Sequence, residues 1–357
     1  MKKVVTVIGA RPQFIKAATI SRAFKKFPVK EVIVHTGQHF DKNMSDIFFS
    51  EMQIPLPDYN LDINSLSHGA MTGKMLEAIE EILFSEKPEV VMVYGDTNST
   101  LAGALAARKL NIPVVHVEAG LRSFNNNMPE EINRIITDRI SSLLLCPSDT
   151  AVKNLHNESF DKFDAIIVKN GDVMFDASLF YSPIAKTKSN IINSLNLNEF
   201  VLATVHRQEN TDNIDNLKQI IDALNTINKS VEVVVPLHPR TKNIIQKHNV
   251  RPDFTIIEPV GYFDMITLQQ NCNLILTDSG GVQKEAFFFK KPCVTLRNET
   301  EWTELIEHGC NMLAGHNTKS IINAYETMNN KNIDFSASLY GKGDAADIAA
   351  EHIYNLL

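Results

Sequence analysis

Polar residues recur where apolar, β-branched runs of this chain stop: Arg11, Gln38 with His39, Asp96, Glu118, His206, His238 and Asp278. In open parallel sheets ligands bind beyond the carboxyl ends of the strands, so these positions carry more weight than polar residues elsewhere. Taken singly, each reads as a helix cap or a turn residue; their recurrence at equivalent places reads as a site. GARPQFIK puts two fixed positive charges, Arg11 and Lys16, just after the first run. That pair suits an anionic ligand, although a solvated helix start with Pro12 in its first turn would look the same.

Three further segments, YGDTNST, VEAGLR and PEEINR, supply Asp96, Glu118 and Glu130. Carboxylates gathered in one crevice repel one another, and repulsion with burial prepares a carboxyl group for proton transfer. The plainer alternative makes Asp96 a cap and lets Glu130 and Glu131 complement a helix dipole. In LTDSGGVQKEA a strand gives way to two glycines and a helix. There the N–H groups of Ser279, Gly280 and Gly281 would point at an anion, and Glu285, further along the helix, would reach ribose hydroxyls. A double glycine is also an ordinary tight turn. Neither G-x-x-x-x-G-K-[ST] nor G-x-G-x-x-G occurs, which removes the main support for an ATPase or a dehydrogenase.

Eleven strand-like runs must position these groups. The first half contains KVVTVIG, EVIVHTG, VVMVYGD, VVHVEAG, LLLCPSD and AIIVKNGD; the second contains FVLATVH, VEVVVPLH, FTIIEP, LILTDSGG and CVTLR. Stretches with helical spacing, such as Met71–Ser85 and Asn213–Asn228, separate them. Near-continuous apolar strands imply burial on both faces, hence parallel sheets sandwiched by helices. Eleven strands exceed one typical doubly wound sheet, and 357 residues suggest two domains. The expected division is 1–168 and 169–342, with a C-terminal helix over 343–357 packing on the first domain.

The composition, 44% hydrophobic and 22% charged with net charge −7, is that of a soluble globular protein and offers no electrostatic case for nucleic acid or an anionic membrane. No apolar run approaches the roughly 18 residues of a membrane span, and the N-terminal apolar stretch runs into Arg-Pro, unlike a signal peptide. Cys146, Cys272, Cys293 and Cys310 are scattered without a C-x-x-C pair, so neither zinc nor a disulfide framework is expected. A cytoplasmic location and no metal or organic cofactor follow as expectations.

Together, G-x-R-P-x-x-I-K, T-G-Q-H, G-D-T, E-A-G-L-R, P-E-E-x-N-R, H-R-x-E and T-D-S-G-G-x-Q-x-E resemble, in order, the non-hydrolysing UDP-N-acetylglucosamine 2-epimerase family. The resemblance implies a glycosyltransferase-B-type architecture of two Rossmann-like domains, an active site in the cleft between them, a UDP-sugar substrate and a homodimer. It implies C2 epimerisation by anti elimination of UDP and re-addition through a bound 2-acetamidoglucal, supplying precursors for surface polysaccharide. Matched residue by residue, Asp96, Glu118, Glu130 and His206 are then catalytic. Arg11, Lys16, Met265, Ser279, Gly280, Gly281 and Glu285 bind substrate, and Gln38, His39 and His238 match a possible allosteric site.

Departures from the family pattern bear on the substrate. Gln13 stands where a glutamate is common, Trp302 in TEWTE where an arginine is common, and Val260 where a glutamine is common. GARPQFIKA and TEW are similar to the subgroup acting on UDP-2,3-diacetamido-2,3-dideoxyglucuronate. The allosteric arginine has no counterpart near Ser67. A retaining glycosyltransferase of the same architecture, a hydrolysing epimerase and a non-catalytic UDP-sugar sensor are the rivals. The first and last have less use for Asp96, Glu118 and Glu130 together.

Overall fold

The computed structural model describes residues 1–38 and 56–357, so His39 lies outside the described residues, as does the side chain of Arg11. The chain divides into two compact units, Met1–Leu179 with Ser338–Leu357, and Phe180–Ala337.

In the first unit, strands β1 (Lys2–Ile8), β2 (Val29–His35), β3 (Tyr59–Asn60), β4 (Val90–Tyr94), β5 (Val114–Val117), β6 (Leu143–Cys146) and β7 (Ile166–Lys169) form one parallel sheet. Their order is β3-β2-β1-β4-β5-β6-β7. Valines 5, 7, 32, 34, 91 and 93 pack on one face against Met75, Ile79 and Leu83 of helix His68–Glu86 and Ala102 and Ala106 of helix Asn98–Lys109. The residues between them, such as Val4, Ile8, Met92 and Tyr94, are fully buried on the other face. Burial on both faces is why these strands read as continuous apolar runs rather than alternating ones.

In the second unit, β8 (Phe200–Thr204), β9 (Glu232–Pro236), β10 (Thr255–Ile257), β11 (Leu274–Thr277), β12 (Cys293–Thr295) and β13 (Asn311–Leu313) form a second parallel sheet in the order β10-β9-β8-β11-β12-β13. Val201 and Ala203 face a core built with helices Ile214–Asn228 and Thr318–Asn330, while Phe200 and Leu202 face Leu268 and Cys272 on the opposite side. All eleven expected strands are present; β3 and β13 add two short edge strands, YN and NML, neither of which contains a β-branched residue. Among the described residues no helix is long and apolar enough to cross a membrane.

The division after Leu179 falls later than position 168, inside helix Val173–Lys188. The cause is the returning tail. The Asp172 N–H donates to the Tyr340 carbonyl at 3.0 Å, Asn170 donates to the Ala345 carbonyl at 3.3 Å, and the Ala346 N–H donates to Asp176 at 2.7 Å. These bonds tie residues 170–179 to the first unit. The closing helix, Ala345–Leu356, lies on helix Arg11–Phe24 and its end, with Lys26 paired to Asp347 at 2.6 Å and the rings of Phe27 and Tyr354 5.2 Å apart.

Candidate active site

Chain order reverses in the first sheet between β1 and β4 and in the second between β8 and β11. Such switch points open crevices beyond the strands' carboxyl ends. In the first unit a cleft of about 240 Å³ occupies this place, lined among others by Lys16, Gln38, His68, Asp96, Glu130 and Asn133.

Gln13 braces the crevice. Its side-chain oxygen accepts the Gly9 and Ala10 N–H groups at 2.8 and 3.0 Å; its amide nitrogen faces the Tyr94 carbonyl at 2.7 Å and the Thr97 and Thr100 hydroxyls at 2.9 and 3.0 Å. A single buried amide therefore joins the ends of β1 and β4 by both accepting and donating, which is the inventory of an amide and not of a carboxylate.

The expected carboxylates are found around this cleft, but not as a bare repelling cluster. Asp96 is held by Arg134, and Glu118 by Lys16. Arg134 is buried and also pairs with Glu131 at 2.9 Å. Glu131 in turn accepts from the Ser123 N–H and hydroxyl, both at 2.9 Å, and from the Phe124 N–H at 3.0 Å, so it fixes the loop before its own helix. Helix Pro129–Ile140 brings Glu130, Asn133 and Arg134 to the cleft side because residues three and four apart share a face. Asn133 donates to the Asp96 carbonyl at 2.9 Å. Glu130, half-buried, lines the cleft.

Gln38 belongs to the same cleft, where its oxygen accepts from the Ser99 N–H at 3.1 Å and hydroxyl at 2.7 Å. Arg11 begins helix Arg11–Phe24. His238 is exposed at the N-cap of helix Pro239–Lys247, where its Nδ1 accepts the Arg240 N–H at 3.2 Å.

In the second unit His206 and Asp278 meet at the β8/β11 switch point, Nδ1 to Oδ1 at 3.0 Å. Asp278 is fully buried, which opposes its ionisation. His206, the Arg207 N–H at 3.0 Å and Asn210 at 3.1 Å outweigh that and hold its carboxyl below the ordinary carboxylate value. With Nδ1 donating to the carboxylate, Nε2 is the nitrogen His206 offers to a ligand from a half-exposed ring.

The turn after β11 departs from expectation at one atom. The Ser279 N–H donates to the Thr277 hydroxyl at 2.9 Å, so it is not open to an anion. Gly280 and Gly281 begin helix Gly280–Phe288, where first-turn N–H groups have no carbonyl inside the helix to bond. A Cβ on Gly280 would sit 2.2 Å from Glu301 Oε1, so TEW packs directly on this turn and a larger residue there would have to push the Glu301 carboxylate aside. Glu285 is buried and accepts from Gln269 at 2.7 Å, and Met265 packs half-buried against the core on that side of the sheet. Trp302, buried, stacks under the buried Lys284 ammonium at 4.1 Å, which occupies one ring face.

Sequence reasoning passed over Arg134, Asn133, Asp278 as an orienting group, and His116 with Asp138. Asn133 and Arg134 were within reach, since P-E-E-x-N-R sets them three and four residues after Glu130. His116 sits mid-strand, where sequence alone offers no sign of a partner.

A family model described as UDP-N-acetylglucosamine 2-epimerase matches residues 22–354. The chain is 52% identical over 356 residues to the UDP-2,3-diacetamido-2,3-dideoxy-D-glucuronate 2-epimerase of Pseudomonas aeruginosa, spanning 99% of this chain and 100% of that one. It is 44% identical to the UDP-N-acetylglucosamine 2-epimerase of Methanocaldococcus jannaschii, spanning 97% of each. The crystal structure of a Methanocaldococcus jannaschii UDP-GlcNAc 2-epimerase in complex with UDP-GlcNAc and UDP matches with a TM-score of 0.93 at 43% identity, over 99% of this chain and 100% of that one. WaaG, a glycosyltransferase involved in lipopolysaccharide biosynthesis, shares the fold alone, at 11% identity and a TM-score of 0.61. Two parallel-sheet α/β units of the glycosyltransferase-B type and matches along nearly the whole chain lead to one conclusion: the protein belongs to the UDP-N-acetylglucosamine 2-epimerase family.

Proposed function

We propose that the protein epimerises a UDP-N-acetylhexosamine at C2 without hydrolysis, and that UDP-2,3-diacetamido-2,3-dideoxyglucuronate is its preferred substrate. A carboxylate takes the C2 proton while the C1–O bond breaks, UDP departs with the electron pair, and a C1=C2 double bond forms. Protonation of C2 on the other face and return of the UDP oxygen to C1 complete the epimer. The C2 proton is not acidic, so stabilising the departing diphosphate carries much of the barrier, a task that suits Arg11, Lys16, His206 and the first-turn N–H groups of Gly280 and Gly281.

The observation that carries this reading is the set of carboxylates around the β1/β4 cleft, two of them held by cations. Asp96 and Glu118 are positioned by Arg134 and Lys16. Glu130 has no cation partner among the described side chains, which favours it over Asp96 and Glu118 as the group that exchanges a proton with C2. Glu285 and Met265 complete the nucleotide side, with Ser279 shaping the turn, and Gln38 serves the cleft rather than a separate allosteric site. A homodimer in the cytoplasm fits the family resemblance and four buried free cysteines.

The substrate assignment is supported by the neutral, fully bonded Gln13 and by the identity to the Pseudomonas aeruginosa enzyme. An amide rather than a carboxylate at 13 leaves the cleft one negative charge poorer, which favours a substrate with an added carboxylate. Side-by-side kinetics test it. A kcat/KM at least roughly tenfold higher for the diacetamido-uronate sugar nucleotide than for UDP-GlcNAc, about 1.4 kcal/mol, is expected. Equal or better efficiency with UDP-GlcNAc would overturn the substrate while leaving the reaction type in place.

A further inference from the structure

His116 lies mid-strand on β5, fully buried, and is no part of the chemistry described above. Its Nε2 is 2.7 Å from the Gly95 carbonyl and its Nδ1 is 2.6 Å from Asp138 Oδ1. A carbonyl can only accept. Asp138 already takes the Arg122 guanidinium at 2.7 Å and the Gly120 N–H at 3.1 Å on its other oxygen. Burial opposes its ionisation, yet His116 and Arg122 outweigh burial and hold its carboxyl below the ordinary value. The ring therefore spans from Asp138 to the Gly95 carbonyl at the end of β4.

Gly95 and Asp96 share a trans peptide, in which C=O and N–H point to opposite sides. With the Gly95 oxygen drawn inward to His116, the Asp96 N–H is turned away from β5, at a point where Gly95 and Asp96 line the cleft. Among the described residues no protein oxygen takes that N–H.

We propose that His116 is a positioning residue: bridging Asp138 and the Gly95 carbonyl, it fixes the Gly95–Asp96 peptide so that the Asp96 N–H donates to an oxygen on the sugar portion of the substrate. This rests on assigning the cleft to the epimerisation. A donor on the carbonyl also polarises the peptide unit, strengthening the N–H as a donor. The charged and titratable groups around the ring come from each packed element: Asp138 from helix Pro129–Ile140, Arg122 from the loop after β5, with Glu158 bound to it at 2.6 Å, and the Cys146 thiol of β6, which burial and Asp138 push up.

Two measurements test it. In the ¹⁵N-labelled wild-type protein, the Asp96 amide signal should move when the UDP-sugar is added and stay in place when UDP alone is added; an Asp96 amide unmoved by the UDP-sugar overturns the proposal. In His116→Gln, kcat/KM for the UDP-sugar should fall about 10²-fold, while the Kd for UDP alone stays within roughly twofold. Turnover in His116→Gln within about threefold of wild type overturns it, as does an equal loss of UDP binding. Wild-type protein inactive on UDP-sugars would defeat the function reading instead, and if His116→Gln does not fold, the labelled wild type decides alone.

Discussion

The Lys16 ammonium closes on the Glu118 carboxylate across 102 positions of sequence, and Gly95 lies beneath the pair. A Cβ on Gly95 would meet Glu118 Oε2 at 3.3 Å and Lys16 Nζ at 3.4 Å, and its φ of +61° lies in the left-handed region. Gly95→Ala should therefore do two things at once. Backbone strain should cost about 1–2 kcal/mol of stability, and displacement of the ion pair should cost about 10² in kcat. Thermal unfolding and turnover on one preparation check this; stability lost with turnover intact would show that the pair is not part of the chemistry.

The carboxylates around the cleft separate into two kinds. Asp96→Asn, Glu118→Gln and Glu130→Gln should each lose about 10²–10⁴ in kcat and stay folded. Glu131→Gln should act on stability, by about 1–3 kcal/mol, because Glu131 serves Arg134 and the Ser123–Phe124 loop rather than the cleft. Steady-state rates and melting curves on the four variants check the division. Near-normal turnover in Asp96→Asn would reduce Asp96 to an anchor for Arg134.

Much of what gathers at the strand ends of each unit was legible because strand ends in parallel sheets are short and polar and the helices after them begin within a few residues. Asp96, Glu118 and His206 were located by that rule, and the TDSGG turn by its glycines. What the sequence hid was pairing. Arg134 reaching back 38 positions to Asp96, or Gln13 bracing two strand ends 81 positions apart, depends on strand order, which periodicity does not encode. The edge strands Tyr59–Asn60 and Asn311–Leu313 were hidden because neither contains a β-branched residue, and the attachment of residues 170–179 by a tail that returns from the far end of the chain.

That tail carries a pH dependence. Burial, with Asp172 and Asp344 nearby, pushes the Asp176 carboxyl up to about 6 against the ordinary 3.8, even though it accepts the Ala346 N–H. An acid raised on folding contributes stability that is fully present below the unfolded value and is lost as pH rises through the folded one. Asp176→Asn keeps an acceptor and removes the charge. Its Tm relative to wild type should climb as pH rises from about 4 to about 6 and level off by about 7. A difference independent of pH would contradict the assignment.

In the proposed reaction C2 loses its proton and regains one from solvent-exchangeable groups while UDP is detached. The most direct test is to run the epimerisation of the diacetamido-uronate sugar nucleotide in D₂O and follow the C2 signal by NMR. Deuterium is expected at C2 in the epimerised product, with no free sugar accumulating. Epimer formed with its original C2 hydrogen retained would contradict elimination and re-addition.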